Sequence, residues 1–193
     1  MKYKNIVICG DVGTGTTTLA KGLAEKLGWK YLSAGDFFRD YHKKHNIPLW
    51  NKAAIPDEIE KKIDYEFLEK MKKEDHIVFD THYGGWFGKD IADLFRILLT
   101  CDKDAATKRI LEREHTHKET PQEIDKRRVQ IRAKFKKLYS SDNYEDPKYF
   151  NLIVDTTTTD ANETLTAALA AIAPWPIYWL AEGVGVKFPA AKC

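Results

Sequence analysis

The sequence predicts a three-layer α/β domain: a five-stranded parallel sheet with helices on both faces. Three observations carry this. Short β-branched runs alternate with long amphipathic segments up to about Ile172, the pattern of strands joined by crossover helices. The central runs are apolar throughout, as strands buried on both faces are. A glycine-rich turn also joins the first run directly to the first amphipathic segment. A chain of 193 residues suits one compact unit on a scale of ~100–200 residues per domain.

In chain order, residues 5–9 form the first strand, around Ile6-Val7-Ile8-Cys9. Residues 16–27 follow as a helix with Leu19, Ala20, Leu23, Ala24 and Leu27 on one stripe, stopped by Gly28. Residues 30–32 make a second strand, with a helix beginning near Gly35. Ile59, Ile63, Phe67 and Met71 recur at four-residue steps within a helix over 55–72. Strands are expected at 76–80, 95–100 and 152–155, and helices at 104–114 and 121–139. The last helix carries a start signal in Thr120-Pro121-Gln122-Glu123: cap, proline, then carboxylate. It also carries seven basic residues, of which Lys134, Lys136 and Lys137 read as a solvated face.

Composition excludes several classes. Against 29 acidic residues stand 31 basic ones, a net charge of +2, so no overall excess points to nucleic acid or an anionic membrane. The longest uncharged stretch, 164–181, contains Pro174 and Pro176 and makes a poor membrane span. Cys9, Cys101 and Cys193 are odd in number and far apart, which fits a reducing, cytoplasmic setting. His115 and His117 lie near Glu114 and Glu119 but lack the fourth-ligand spacing of a zinc site.

The chemistry concentrates after the first strand, in Gly10-Asp11-Val12-Gly13-Thr14-Gly15-Thr16-Thr17-Thr18. Glycines let successive backbone N–H groups converge on an anion, and the helix start adds free donors and partial positive charge. The spacing Gly10-x4-Gly15 followed by the Thr17 hydroxyl matches the phosphate-binding loop in which that hydroxyl binds magnesium, except that Thr16 replaces the usual lysine. A dinucleotide fingerprint is excluded, because Gly10-x2-Gly13-x-Gly15 has the wrong spacing. Asp80 ends an apolar strand, where P-loop enzymes place a magnesium-holding carboxylate.

From this loop, and from Leu32-Ser33-Ala34-Gly35-Asp36-Phe37-Phe38-Arg39, the chain closely resembles the cytidylate kinases of the archaeal type over about residues 3–172. It departs at Asp80-Thr81-His82, where relatives usually carry Glu-Gly-Arg, and at Gln130-Ile131, where Ser-Glu is common. Asp80-Thr81-His82 also resembles the adenylate kinases related to ribosome maturation. The resemblance implies a P-loop NTPase fold, ATP and Mg2+ as cofactors, and a nucleoside monophosphate acceptor, with CMP or dCMP first. Residues 1–173 would be the kinase domain, with an acceptor-binding segment at 36–74 and a lid at 113–135. Ser33, Gly35, Asp36, Arg39, His82 and Gly85 would bind the acceptor, with Arg39 gripping its phosphate.

Arg109 would join residues 10–18 in binding ATP, and Thr17 and Asp80 would hold the metal. Arg113, Arg127 and Arg132 would close from the lid and compensate for the missing lysine. The implied partners are small nucleotides, without membrane or nucleic acid, and no oligomeric state is indicated. Two alternatives stay open: a kinase for another small acceptor (AMP, a nucleoside, a shikimate-like metabolite), or a nucleotide-binding regulatory or RNA-associated module with a degenerate loop. The aromatic tail 174–193 receives no role.

Overall fold

The computed structural model describes residues 2–112 and 119–173, and the backbone of 186–187. Strands β1 (Asn5–Gly10), β2 (Lys30–Ser33), β3 (Ile77–Asp80), β4 (Leu94–Thr100) and β5 (Leu152–Asp155) are parallel, in the order β2-β3-β1-β4-β5. The five parallel strands are those the sequence predicts. A sixth, β6 (Val186–Lys187), pairs antiparallel with Ile153 and Val154 at the sheet edge. It falls in the stretch that received no role; the rest of 174–193 lies outside the described residues.

Alternation within β1 explains why the strand is apolar at every position. Ile6 and Ile8 face one core with Leu19, Leu23, Val78, Ile97 and Ala168, under α1 (Thr16–Leu27) and α7 (Ala161–Ile172). Val7 and Cys9 face the other with Met71, Phe79, Leu98 and Phe150, under α3 (Asp57–Lys73) and α4 (Gly84–Phe87). A strand covered on both faces cannot alternate apolar with polar.

Helix ends follow local chemistry. Gly28 closes α1 in the left-handed region at φ 66°, a conformation glycine adopts without steric cost. Thr120 and Glu123 form a reciprocal capping box at the start of α6 (Pro121–Tyr139), as the spacing predicts. The helix expected at 104–114 is α5 (Lys103–Leu111), capped by the Asp102 side chain. Ser33 caps α2 (Ala34–Lys44) by accepting from the Asp36 N–H.

The register brings Ile8, Ser33 and Asp80 level at the carboxyl edge of the sheet. Chain direction diverges there, β1 leading to α1 on one face and β3 to α4 on the other. In open parallel sheets such a switch point is where ligands bind. A third apolar cluster, Tyr83, Ile131, Phe135 and Tyr144 with Trp86 and Tyr139 packed on it, seats α6 beside this crevice. Among the described residues no helix is long and apolar enough to cross a membrane.

Candidate active site

The turn from β1 into α1 is fixed by its own backbone. Gly13 and Gly15 have φ of 87° and 96°, which side chains rarely adopt. A Cβ on Gly10 would lie 2.6 Å from the Leu99 carbonyl, and one on Gly13 2.5 Å from the Ala106 carbonyl. Asp11 Oδ1 accepts from the Val12 N–H at 2.7 Å, and the Thr14 hydroxyl donates to the Asp11 carbonyl at 2.8 Å. Thr14 is thereby spent on the loop, and Thr156, just after β5, holds it by donating to the Thr14 carbonyl at 2.9 Å.

At the base of this loop the Thr17 hydroxyl donates to Asp80 Oδ2 at 2.7 Å. The Tyr31 hydroxyl donates to the same oxygen at 3.3 Å, and burial with the neighbouring carboxylates pushes its pKa up to about 12. Asp80 is 8% exposed. A hydroxyl and a carboxylate oxygen meeting at the foot of a phosphate loop suit a hard divalent cation such as magnesium.

One cavity runs from this loop across the carboxyl edge, lined by Asp11, Thr16, Thr17, Gly35, Arg39, Asp80, His82 and Arg127 among others. Arg39 lies on its wall, ion-paired to Asp36. Gly35 makes room for it: a Cβ there would sit 3.2 Å from Arg39 Nη1. His82 Nδ1 lies 2.8 Å from the Gly10 carbonyl, which can only accept, so Nδ1 carries the proton. Gly85 stands behind the site instead. Its N–H donates to Cys9 Sγ at 3.1 Å and a Cβ would strike the Phe150 ring. Ser33 serves as a helix cap and does not line the cavity. A second cavity, with Gly13, Gly15, Thr18, Thr159 and Arg109 in its lining, opens on the other side of the loop. Arg109 is held there by the carbonyl and hydroxyl of Thr156.

Helix α6 brings Arg128 and Arg132 to the loop rim and Arg127 to the cavity wall. Arg132 pairs with Asp11 at 3.3 Å and with Glu145 at 2.6 Å. Arg127 pairs with Glu119 at 3.1 Å. Arg128, which the sequence reading passed over, is buried, donating to the Val12 carbonyl at 3.4 Å and to Thr107 at 3.0 Å. Arg113 and the histidines at 115 and 117 lie outside the described residues.

The expected solvated face of α6 is corrected at Lys134. Lys136 and Lys137 are exposed, but Lys134 is only 6% exposed. It pairs with Glu60 at 3.2 Å and Asp57 at 3.5 Å and donates to the carbonyls of Lys52 and Ile55. Lys52, in the 3-10 turn Lys52–Ala54, pairs with Glu60 at 2.8 Å and stands over the Phe38 ring. Burial pulls its ammonium pKa down against the Glu60 charge. Gln130 accepts from the Ala53 N–H at 2.9 Å, tying the same turn to α6. Beside this network Asp64 lines the cavity, 5% exposed, and its carboxyl is pushed up to about 7 chiefly by burial. A trace was present in the sequence, since Glu60 and Asp64 flank the apolar stripe residue Ile63 in one helix turn.

A backbone phosphate loop closed on a hydroxyl–carboxylate pair, at the switch point of a parallel sheet and beneath an arginine-bearing helix, defines a P-loop kinase. A family model described as an AAA domain matches residues 6–133. The chain is 39% identical over 155 residues to a cytidylate kinase of Sulfolobus acidocaldarius, covering 78% of this chain and 84% of that one. A cytidylate kinase of Ignicoccus hospitalis is 34% identical over 155 residues, 78% and 88% covered. The fold resembles a gluconokinase from Sinorhizobium meliloti 1021 at TM-score 0.63 and 14% identity, over 93% of this chain and 97% of that one. A shikimate kinase from Acinetobacter baumannii shares it at TM-score 0.58 and 17% identity, over 88% and 93%. The chain belongs to the cytidylate kinase family and is a nucleoside monophosphate kinase.

Proposed function

We propose that the chain transfers the γ-phosphoryl group of ATP, bound with Mg2+, to CMP or dCMP, giving ADP and the nucleoside diphosphate. The observation that carries this reading is the Thr17–Asp80 hydrogen bond at the head of a cavity that continues to Arg39. It joins a donor-phosphate cradle to an acceptor-phosphate cation in one enclosure. The acceptor is itself an anion near neutral pH, so no strong general base is required, and positioning with charge neutralisation carries the rate.

In this reading the amides of residues 10–18 hold the donor phosphates, and His82 keeps Gly10 oriented by its hydrogen bond to that carbonyl. Thr17 and Asp80 would hold magnesium, which would supply neutralising charge for the phosphates. Arg39 exchanges Asp36 for the acceptor phosphate, and Arg132 exchanges Asp11 and Glu145 for oxygens of the transferring group. Arg127 and Arg113 close from the same segment, supplying guanidinium charge where the lysine is missing. Arg109 faces the donor nucleotide in the second cavity. The free Cys9 and Cys101 and the need for ATP support a cytoplasmic setting.

The test is an acceptor screen at saturating ATP·Mg with CMP, dCMP, UMP, AMP, gluconate and shikimate, reading ADP release. CMP or dCMP is expected to give the highest kcat/KM. Another acceptor in first place would replace this reading.

A further inference from the structure

The cavity was built for two polyanions, yet one of its walls carries a buried carboxyl. Asp64 lines it from α3, on the side that also presents Phe38, His42 and Lys52. A carboxyl there would repel a phosphate, so its place is against the uncharged part of a substrate. Both buried lysines nearby pair with Glu60, and of the two Lys52 also lines the cavity, with donors of its ammonium beyond the Glu60 pair. The Tyr139 hydroxyl donates to Asp64 Oδ2 at 2.6 Å.

We propose that Asp64, assisted by Lys52, is the base-reading element of the acceptor site and selects cytosine over uracil. This rests on the assignment of a pyrimidine monophosphate as acceptor. The Watson–Crick edge of cytosine presents one donor, the N4 amino group, and two acceptors, N3 and O2. A neutral carboxylic acid offers the complement, its carbonyl accepting from N4 and its hydroxyl donating to N3, while the Lys52 ammonium donates to O2. Uracil reverses both positions that face the acid, O4 accepting where N4 donates and N3 donating where cytosine N3 accepts. An acid held in the orientation that pairs with cytosine is therefore mismatched with uracil twice, and ionisation to the carboxylate removes the mismatch at N3. A mismatch leaves buried polar groups unpaired, the strongest form of discrimination a small site can build.

The surroundings of Asp64 favour the neutral acid. Burial is the largest influence and raises its pKa to about 7, the Glu60 carboxylate adds to the rise, and the Tyr139 hydrogen bond and the Lys52 charge oppose it. Tyr83 is buried nearby in the same cavity wall, and Arg127, paired with Glu119, faces the cavity from α6. The Tyr139 donor also fixes orientation: it favours the carbonyl at Oδ2 and the proton at Oδ1. An asparagine at this position is held the same way, with its amide oxygen toward Tyr139 and its NH2 where the acid proton stood.

The experiment measures kcat/KM for CMP and for UMP across pH, in the native enzyme and in Asp64→Asn and Asp64→Leu. Taking the ratio at each pH cancels ionisation of the acceptor phosphate. The native CMP-to-UMP ratio is expected to fall about tenfold between about pH 6 and about pH 8.5, as the acid becomes carboxylate. In Asp64→Asn the ratio should stay in favour of CMP and be flat with pH, and in Asp64→Leu the preference should vanish. A native ratio independent of pH, or a folded Asp64→Leu that still prefers CMP, would overturn the proposal while leaving the cytidylate reading intact. If Asp64→Leu does not fold, the native and Asp64→Asn profiles decide alone. Turnover of a purine monophosphate with neither pyrimidine accepted would instead overturn the acceptor assignment, and the proposal with it.

Discussion

The two ends of the cavity are made of different materials. At the proposed donor end the groups that would face a ligand are backbone amides, glycines at positive φ and one hydroxyl–carboxylate pair, all within a single turn and the strand beside it. At the proposed acceptor end they are side chains, Arg39, Lys52, Asp64 and the supporting Lys134, drawn from α2, α3, α6 and the turn at 52–54, the cations neutralised by Asp36 and Glu60. A backbone site is specified locally and tolerates little substitution. A side-chain site depends on charges being desolvated together, so its parts stand or fall as a network.

Replacing Asp80 by Asn removes the carboxylate from the Thr17 pair and keeps the hydrogen bond. Loss of a metal-holding charge is worth several kcal/mol of transition-state stabilisation, so kcat should fall ~10³-fold with the melting temperature nearly unchanged. A loss of folding instead of rate would mean the donor end is structural in the same sense as the acceptor end. Lys134→Met should do the opposite. Removing one member of the buried network leaves Glu60 short of a partner and should cost about 3 kcal/mol of stability, read by urea titration. Lys136→Ala, one turn-neighbour away but exposed, should fall within about 0.5 kcal/mol of the native chain. Equal effects at the two positions would erase the contrast. Smaller than the Asp80 and Lys134 effects is that of Arg39→Ala, which should raise the acceptor KM roughly thirtyfold, about 2 kcal/mol, with much less effect on the KM for ATP. Equal losses for both substrates would take Arg39 off the acceptor phosphate.

The same contrast decides what could be read from the chain. The loop, α1, the capping box at Thr120 and the parallel strands were legible because each is written in contiguous residues obeying one period or one spacing. Thr17 and Asp80 were both legible as candidates, because each ends its own local motif, and the structure brings them into hydrogen-bond contact although 63 residues part them. Lys134 was misread, since seven basic residues on one helix look like a solvated face until α3 and the 52–54 turn fold over one of them. Asp64 and Arg128 were missed for the same reason. Their roles come from burial by elements far away in sequence, and hydropathy alone assigns such residues to solvent. Gly85 illustrates the reverse error, a motif glycine whose position is dictated by the Phe150 ring and not by a ligand.

The central claim is that the donor end works without the loop lysine, its charge supplied by arginines from the lid. The most direct measurement is the turnover number of the native chain with ATP·Mg and CMP, taken beside that of Thr16→Lys. The account predicts that the native chain makes CDP and that the added lysine brings no large gain, because Arg127 and Arg132 already occupy that electrostatic role. A native chain that binds ATP but is inert with every nucleoside monophosphate, and that gains turnover on Thr16→Lys, would contradict it.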